Sequence, residues 1–141
     1  MWMPPGQELF STPEQRELGL NEFMKNLSKE GKEYYSTILF AEFPAFVNSC
    51  LGPTGKIGSW WLHMAMVRPE SQRQGVATSL IQLAREKAKQ NGETLACSTT
   101  TPTNVIVYRN IGFDLKGQRI MPSPWGDWPL YVFSLDTSRA S

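Results

Sequence analysis

The feature that most restricts the fold is an abrupt change of pattern in the middle of the chain. Residues 59–67, SWWLHMAMV, form a nearly continuous apolar run that Pro69 ends. Such a run predicts a strand that is covered on both faces. A polar loop and then an amphipathic helix follow, and Asn91-Gly92 is the C-terminal signal of that helix. The apolar face of this helix comprises Val76, Leu80, Ile81, Leu83, Ala84 and Ala88.

Downstream of this helix, strands and helices continue to alternate. Residues 95–99 predict a short strand, and residues 102–111 predict a helix that Gly112 ends. Phe113 begins another strand, and residues 130–135 predict the last one. The order β–α–β–α–β–β favours an α/β or α+β domain in which helices pack against one mixed sheet.

The first 58 residues are predominantly helical. The N-terminal signal TPEQ at residues 12–15 predicts a helix that ends at Gly31. A second helix is predicted over residues 32–50, with a bend or break at Pro44. Residues 1–6 have room only for the end of a strand before Pro4-Pro5-Gly6. Residues 12–50 are therefore interpreted as a helical part that precedes a sheet-forming core over residues 59–135.

Length and composition exclude several classes of protein. A chain of 141 residues can bury one core, so residues 1–141 are expected to form a single domain. The net charge of +1 lacks the dense basic stripe of nucleic-acid-binding proteins. No apolar run approaches the roughly 20 residues that cross a membrane. Two cysteines suit a reducing compartment, which predicts the cytoplasm with the nucleus as alternative. One histidine and two distant cysteines cannot form a common zinc site, so no metal is expected.

The loop between the buried strand and the amphipathic helix has the composition of an anion site. Its residues 72–78 read QRQGVAT, in which Gly75 and Ala77 let a ligand approach the main chain closely. N–H groups in a first helical turn have no helical partner and lie at the positive end of the helix dipole. These N–H groups can therefore donate hydrogen bonds to a phosphate. Taken alone, the pattern also fits a tight turn in which Gly75 only permits the backbone conformation.

Two motifs together resemble those of a known family. The segment V-x-P at 67–69, followed by Q-x-x-G-x-A at 72–77, resembles the acetyl-CoA pyrophosphate motif of the GNAT N-acetyltransferases. The segment Y-x-x-x-G-F at 108–113 is similar to the later helix-to-strand signature of that family. The resemblance covers residues 59–135 well and the first 58 residues poorly. It implies a GNAT-like mixed central sheet with flanking helices and with N-terminal strands reduced or missing.

The resemblance also implies roles for individual residues, with acetyl-CoA as co-substrate. The main chain of Met66 and Val67 would pair with the pantetheine arm, whose amides Asn104 or Thr101 would meet. Tyr108 would lie near the thioester sulfur and protonate the leaving thiolate; its alternative role is packing. The pyrophosphate would be held by main-chain N–H groups of Gln72, Arg73, Gln74, Gly75, Val76, Ala77 and Thr78.

The catalytic base departs from the family pattern. Many relatives place a glutamate where this chain has Trp61. His63 shares a strand face with Trp61 and would take a proton from an amine, as histidines on this strand do in some relatives. The alternative is a core histidine that is satisfied by a hydrogen bond.

The expected function is direct transfer of an acetyl group from acetyl-CoA to an amine. The alternative is a CoA-binding but inactive module or a truncated fragment, because only residues 2–6 resemble the end of the third family strand. Missing strands would expose a sheet edge, and a homodimer would cover it. The acceptor stays open among a small amine, an aminoglycoside, a peptide N-terminus and lysine.

Overall fold

A mixed sheet of five strands passes through the protein in the computed structural model, which describes residues 1–140. The strands are β1 (Trp2–Met3), β2 (Trp60–Leu62), β3 (Leu95–Thr99), β4 (Asp114–Met121) and β5 (Trp128–Leu135). The helices are α1 (Pro13–Glu17), α2 (Leu20–Lys25), α3 (Lys29–Tyr34), α4 (Phe43–Leu51), α5 (Val76–Gln90) and α6 (Pro102–Ile111). A π-helical segment, Tyr35–Glu42, joins α3 to α4, and one 3₁₀ turn covers Pro69–Ser71. The predicted mixed sheet with flanking helices is confirmed.

The strands lie in the order β1-β2-β3-β5-β4, and only β2 and β3 are parallel among these pairs. Pairing between β2 and β3 stops at Leu62 and Cys97, whereas β3 continues against β5 as far as Thr99. The strand predicted over residues 59–67 is therefore only three residues long. The predicted strand was too long, because a strand needs a hydrogen-bonded neighbour. Beyond Cys97, β3 is paired only with β5 and no longer with the segment that follows β2. We call the place beyond the Leu62–Cys97 pair the opening.

The core consists of two clusters, one on each face of the sheet. The first joins Leu62 and Cys97 to helix α5, of which Ile81, Ala84 and Ala88 are buried. The second packs helix α4 against the other face through these residues: Val47, Trp61, Ala96, Met121, Leu130 and Val132. Neighbouring residues Trp61 and Leu62 thus point to opposite faces, as strand geometry requires.

The apolar face predicted for α5 is only partly buried. Leu80 and Leu83 are 53% and 69% exposed. They line an apolar groove of 380 Å³ together with Met64 and Met66 of the segment that follows β2. Helical periodicity identified the apolar residues but could not show how much of the face the sheet covers.

The N-terminal part differs from the prediction of one helix from residue 12 to Gly31. The Thr12 hydroxyl caps α1 by accepting from the Gln15 N–H at 3.2 Å, as expected. The chain then forms two further short helices, and Ser28 caps α3 by accepting from the Gly31 N–H at 3.0 Å. Gly31 is buried inside α3, so the predicted helix end there is wrong.

The expected disturbance at Pro44 takes the form of a wider helical turn. Pro44 lies in the first turn of α4 and has no N–H to donate, and the π-helical segment directly precedes this helix. The helical run therefore continues through Pro44 instead of breaking. At the other end of this region, Trp2–Met3 forms the expected end of a strand and pairs with Leu62 and Trp61.

Candidate functional site

The loop before α5 is held in an unusual conformation. Gly75, the residue before the helix, is left-handed with φ 79°, and Arg73 is also left-handed with φ 61°. Two glutamine side chains tie the loop to its own start. Gln72 Nε2 donates to the Val67 carbonyl at 2.9 Å, and Gln74 Nε2 donates to the Glu70 carbonyl at 3.1 Å.

This conformation leaves a run of main-chain amides without acceptors. The first bond of the helix runs from the Ser79 N–H to the Gly75 carbonyl at 2.9 Å. Within residues 1–140, no acceptor takes the N–H groups from Arg73 to Thr78. A Cβ built on Gly75 would meet no atom within 4 Å, so the space beside the loop is open. Because α5 has 15 residues, its dipole adds positive potential at these amides. The arrangement suits a diphosphate.

The segment after β2 leads from the opening to this loop. Its β1 side is occupied, because the N-terminal ammonium donates to the Met64 carbonyl at 2.6 Å and the His63 N–H donates to the Met1 carbonyl at 3.0 Å. Met66 is 79% exposed, and its main-chain groups have no partner among the described residues. The Val67 carbonyl already accepts from Gln72. Of the two predicted pantetheine-pairing residues, Met66 thus has both main-chain groups available.

Tyr108 lies on α6 at the face of the first core cluster. Its ring packs against Phe113 and Phe133, with centroid distances of 5.6 and 5.7 Å, and it belongs to the cluster that holds Leu62 and Cys97. Burial and the neighbouring Cys97 raise the pKa of Tyr108 to about 12. The phenol therefore stays protonated at neutral pH, and its hydroxyl has no protein partner in residues 1–140. The ring of Tyr108 is fixed by packing, whereas its hydroxyl is left as an available proton donor.

Two further predicted positions lie near Tyr108. The Thr101 hydroxyl caps α6 by accepting from the Asn104 N–H at 3.3 Å, so this hydroxyl is engaged in the helix cap. The Asn104 side chain is exposed and has no hydrogen bond within the described part of the chain. Cys97 is fully buried, and burial raises the pKa of its thiol, so it stays protonated. A neutral, inaccessible thiol packs as a small apolar group.

His63 lies on the opposite face of the sheet from Tyr108. It follows Leu62 directly, shares its face with Trp61 and lines a cavity of 300 Å³ between the sheet and the N-terminal part. Most of the residue is exposed, and its ring, at the rim of the cavity, makes no hydrogen bond in residues 1–140, so the core-histidine alternative is wrong. Partial burial, then the positive charges of Lys56 and the N-terminus, lower the pKa of His63 from its ordinary 6.5. The imidazole is therefore neutral at pH 7 and able to accept a proton.

The cavity also contains charged residues that the sequence pattern did not reveal. Lys56 Nζ lies 5.0 Å from the ring centroid of Trp61 and 3.9 Å from Glu8 Oε1. Burial lowers the pKa of Lys56, and Glu8 partly opposes that shift. Lys56 and Glu8 lie 48 positions apart in polar, irregular segments, where no periodicity or motif signals that they meet.

The predicted site residues lie on both faces of the sheet and in the loop before α5. His63 directly follows the Leu62–Cys97 pair on one face, and Tyr108 lies near Cys97 on the other. The segment after β2 leads from the opening to residues 72–78, which we call the amide loop. Trp61, at the position of the family glutamate, is 4% exposed and packs in the second core cluster. Within residues 1–140, no group of three His, Cys, Asp or Glu side chains could hold a metal ion. No helix described there has the length and hydropathy of a membrane span.

The chain is similar to known proteins over somewhat more than half of its length. A family model described as an acetyltransferase (GNAT) domain matches residues 35–115, more than half of the chain. No curated protein matches by sequence.

Two solved structures share the fold. The ribosomal-protein-S18-alanine N-acetyltransferase from Escherichia coli is 22% identical with a TM-score of 0.50, over 60% of this chain and 58% of that one. A GNAT-family protein from Desulfovibrio desulfuricans is 19% identical with a TM-score of 0.51, over 61% of this chain and 56% of that one. The chain thus spans just under three fifths of the length of these structures.

Proposed function

Because the chain belongs to the GNAT acetyltransferase domain family, we propose that it transfers an acetyl group from acetyl-CoA to a primary amine. The observation that carries this proposal is the opening itself. Tyr108 lies near Cys97 on one face of the sheet, and His63 with its neutral imidazole follows Leu62 on the other face. Six amides without acceptors lie at the end of the segment that follows His63.

The amide loop fits the diphosphate of CoA. Each hydrogen bond to a charged oxygen contributes about 1.5–3 kcal/mol, so several amides outweigh the single solvated guanidinium of Arg73. The N–H groups of Gln72 to Thr78 would hold the diphosphate, with that of Gln72 shared with the Pro69 carbonyl at 3.3 Å. The main chain of Met66 and Val67 and the side chain of Asn104 would contact the pantetheine arm.

His63 and Tyr108 divide the proton transfers between the two faces. When bound, acetyl-CoA supplies an activated acetyl thioester. The His63 imidazole accepts the proton that the amine loses as its nitrogen bonds to the acetyl carbon, directly or through one water. Tyr108 Oη donates its proton to the sulfur as the carbon–sulfur bond breaks. The products are an N-acetyl amine and CoA, and no covalent enzyme intermediate is required. Water then takes the proton from His63 and returns one to Tyr108.

A second function, CoA binding without turnover, is favoured by Trp61. Its buried indole lies at the position where many relatives carry a catalytic glutamate, and an indole cannot accept a proton. Both functions would use the amide loop in the same way. Turnover with an amine panel therefore distinguishes them, whereas CoA binding does not.

The first test is calorimetric titration of acetyl-CoA into the wild type and two glycine variants. Gly75→Glu places a carboxylate beside the amides, and we expect it to weaken binding by at least about 100-fold. Gly92→Glu is the matched control, because Gly92 ends the same helix, has φ 66° and also has open space around it. It carries the same charge change and backbone strain away from the loop.

The two variants give outcomes that separate the possibilities. Loss of affinity in Gly75→Glu alone supports a diphosphate at the loop. An equal loss in both variants would mean that the effect is strain or net charge. A folded wild type that does not bind acetyl-CoA would overturn both proposed functions.

A further inference from the structure

Few charged groups surround the imidazole of His63. Lys56, from the loop before β2, and Glu8, from the loop after β1, line the same cavity. The helical segment that covers this cavity contributes only uncharged side chains to its described lining, namely Leu39, Phe40, Phe43 and Pro44. The N-terminal ammonium is a further charge near the imidazole. Among the described residues that line the cavity, Lys56 therefore supplies the only side-chain ammonium or guanidinium.

The main chain of Lys56 is fixed on both sides. Its N–H donates to Asn48 Oδ1 of α4 at 2.9 Å, and its carbonyl accepts from the Ser59 N–H at 3.2 Å. The side chain of Lys56 is only 23% exposed, so it lies along the protein instead of extending into water. A side chain that is restricted in this way loses little further entropy when its ammonium stays at one place.

The ammonium of Lys56 lies over an indole that the core holds in place. Nζ is 5.0 Å from the ring centroid of Trp61, within the range of a cation–π interaction. Trp61 is 4% exposed and packs in the second core cluster. His63 shares its face and follows two residues later, a span of about 7 Å in an extended chain. The indole thus holds a positive charge close to the imidazole, at the position where many relatives carry a carboxylate.

This positive charge opposes protonation of the imidazole. The contact with Trp61 and the nearby Glu8 both favour the charged form of Lys56, so it stays a cation at neutral pH. An imidazolium would add a second positive charge to a partly buried cavity, where water screens charges incompletely. Glu8 lies beside Lys56 and accepts no hydrogen bond from His63. Burial lowers the pKa of His63 most, and Lys56 is the next cause.

We propose that Lys56 is a positioning residue for His63: its ammonium, seated on Trp61, keeps the imidazole free to accept the proton of the amine. This proposal rests on the proposed function, because it names what maintains the base of that reaction. It also explains why Lys56 and His63 occur together. A lysine beside a carboxylate would weaken that base, whereas beside an imidazole it preserves the form that accepts a proton.

The test is a pH titration of the His63 imidazole by proton NMR, without acetyl-CoA or amine. His63 is the single histidine of the chain, so untagged protein gives one imidazole signal. Lys56→Met removes the charge and keeps an apolar side chain over Trp61. We expect the midpoint of the His63 titration to rise by at least about 0.3 pH unit. A smaller rise would overturn the proposal.

Lys87→Met is the matched control. Lys87 Nζ also lies over an indole, 5.6 Å from the ring centroid of Trp60. Trp60 and Trp61 are consecutive in β2, so their side chains point to opposite faces of the sheet. The control removes the same charge from the other face, and the His63 midpoint should stay within about 0.1 unit of the wild type. All variants keep the same N-terminus, so their differences do not depend on its charge. An equal rise in both variants would assign the effect to net charge and contradict the proposal.

Two further variants separate the charge of Lys56 from its packing. Arginine keeps the positive charge and also stacks on an indole, so Lys56→Arg should leave the His63 midpoint within about 0.2 unit of the wild type. Glu8→Gln breaks the ion pair but removes a negative charge, so the midpoint should not rise. If either variant raised the midpoint as Lys56→Met does, the effect would be structural and the proposal would be wrong. Circular dichroism checks that each variant is folded.

Activity gives a second readout, and it separates the failure of this proposal from that of the proposed function. With an amine that is acetylated, the acid limb of kcat/KM should move to higher pH in Lys56→Met by the same amount as the His63 midpoint. A midpoint that does not respond to Lys56 overturns the role of Lys56 and leaves the transferase intact. A midpoint that rises in a protein without turnover keeps the charge effect of Lys56 and loses the transferase.

Discussion

The N-terminal helical part and the C-terminal sheet part contribute very differently to the core. Of the 15 buried apolar residues in the described chain, only Val47 precedes Trp61. The sheet with α5 and α6 therefore holds nearly all of the core. Helix α4 packs on one sheet face mainly through Val47, Phe43 and Phe46, and α1 and α2 contribute no buried residue.

This difference separates the two ends of the proposed reaction. The amide loop and Tyr108 belong to the well-packed part, where fixed main-chain geometry suits a ligand that many relatives share. The cavity beside His63 is instead closed by the N-terminal part, whose exposed rings there are Phe10 and Phe40. Variation of acceptor specificity thus need not disturb the core, because side chains of the outer layer can change at little cost in stability.

The largest expected effect tests whether the core is confined to the sheet part. Phe133→Ala empties a fully buried site and should lower the free energy of unfolding by about 3–5 kcal/mol. Phe23→Ala removes the same ring from α2, where it is 46% exposed and contacts Tyr35, and should cost about 1 kcal/mol or less. Urea denaturation measures both. Similar costs would mean that the N-terminal part carries a core of its own.

An intermediate effect tests the chemical role of the sheet part. Tyr108→Phe keeps the packing against Phe113 and Phe133 but removes the donor, and we expect kcat to fall about 100-fold with unchanged affinity for acetyl-CoA. Tyr131→Phe is the control, because Tyr131 is also half-buried against the first core cluster. Its kcat should stay within about twofold of the wild type. An unchanged kcat in Tyr108→Phe would assign Tyr108 to packing alone.

The sheet part was predictable because several signals agreed there. The span of α5 follows from its periodicity and the Asn91-Gly92 end, and the bounds of α6 follow from Pro102 and Gly112. In the N-terminal part, Leu18 lies within the single helix predicted from residue 12 to Gly31, yet it is 88% exposed. Without a core to enforce a single helix, local capping by Ser28 decides where a helix starts.

The site divides in the same way. The loop at Gly75 is formed by consecutive residues, so the sequence alone could predict it. Tyr108 was predicted from the resemblance of residues 108–113 to the second family motif. The cavity beside His63 is lined by Glu8, Lys56 and His63, residues that are distant in sequence and come together only through the packing of the N-terminal part on the sheet. A motif cannot show such a contact, because no spacing relates its members.

The smallest expected effect compares two equivalent helix caps across the two parts. Thr12 and Thr101 each precede a proline, and each hydroxyl accepts from the N–H three residues later, at 3.2 and 3.3 Å. Thr101→Ala should lower the free energy of unfolding by about 1 kcal/mol, because α6 packs on the core through Val105, Tyr108 and Ile111.

Thr12→Ala should cost less than half of that, about 0.5 kcal/mol or below, because α1 buries no residue and can fray while the sheet stays folded. Hydrogen exchange should then show faster exchange within Pro13–Glu17 only, and urea denaturation should give a nearly unchanged midpoint. Equal costs for the two caps would mean that α1 unfolds together with the sheet.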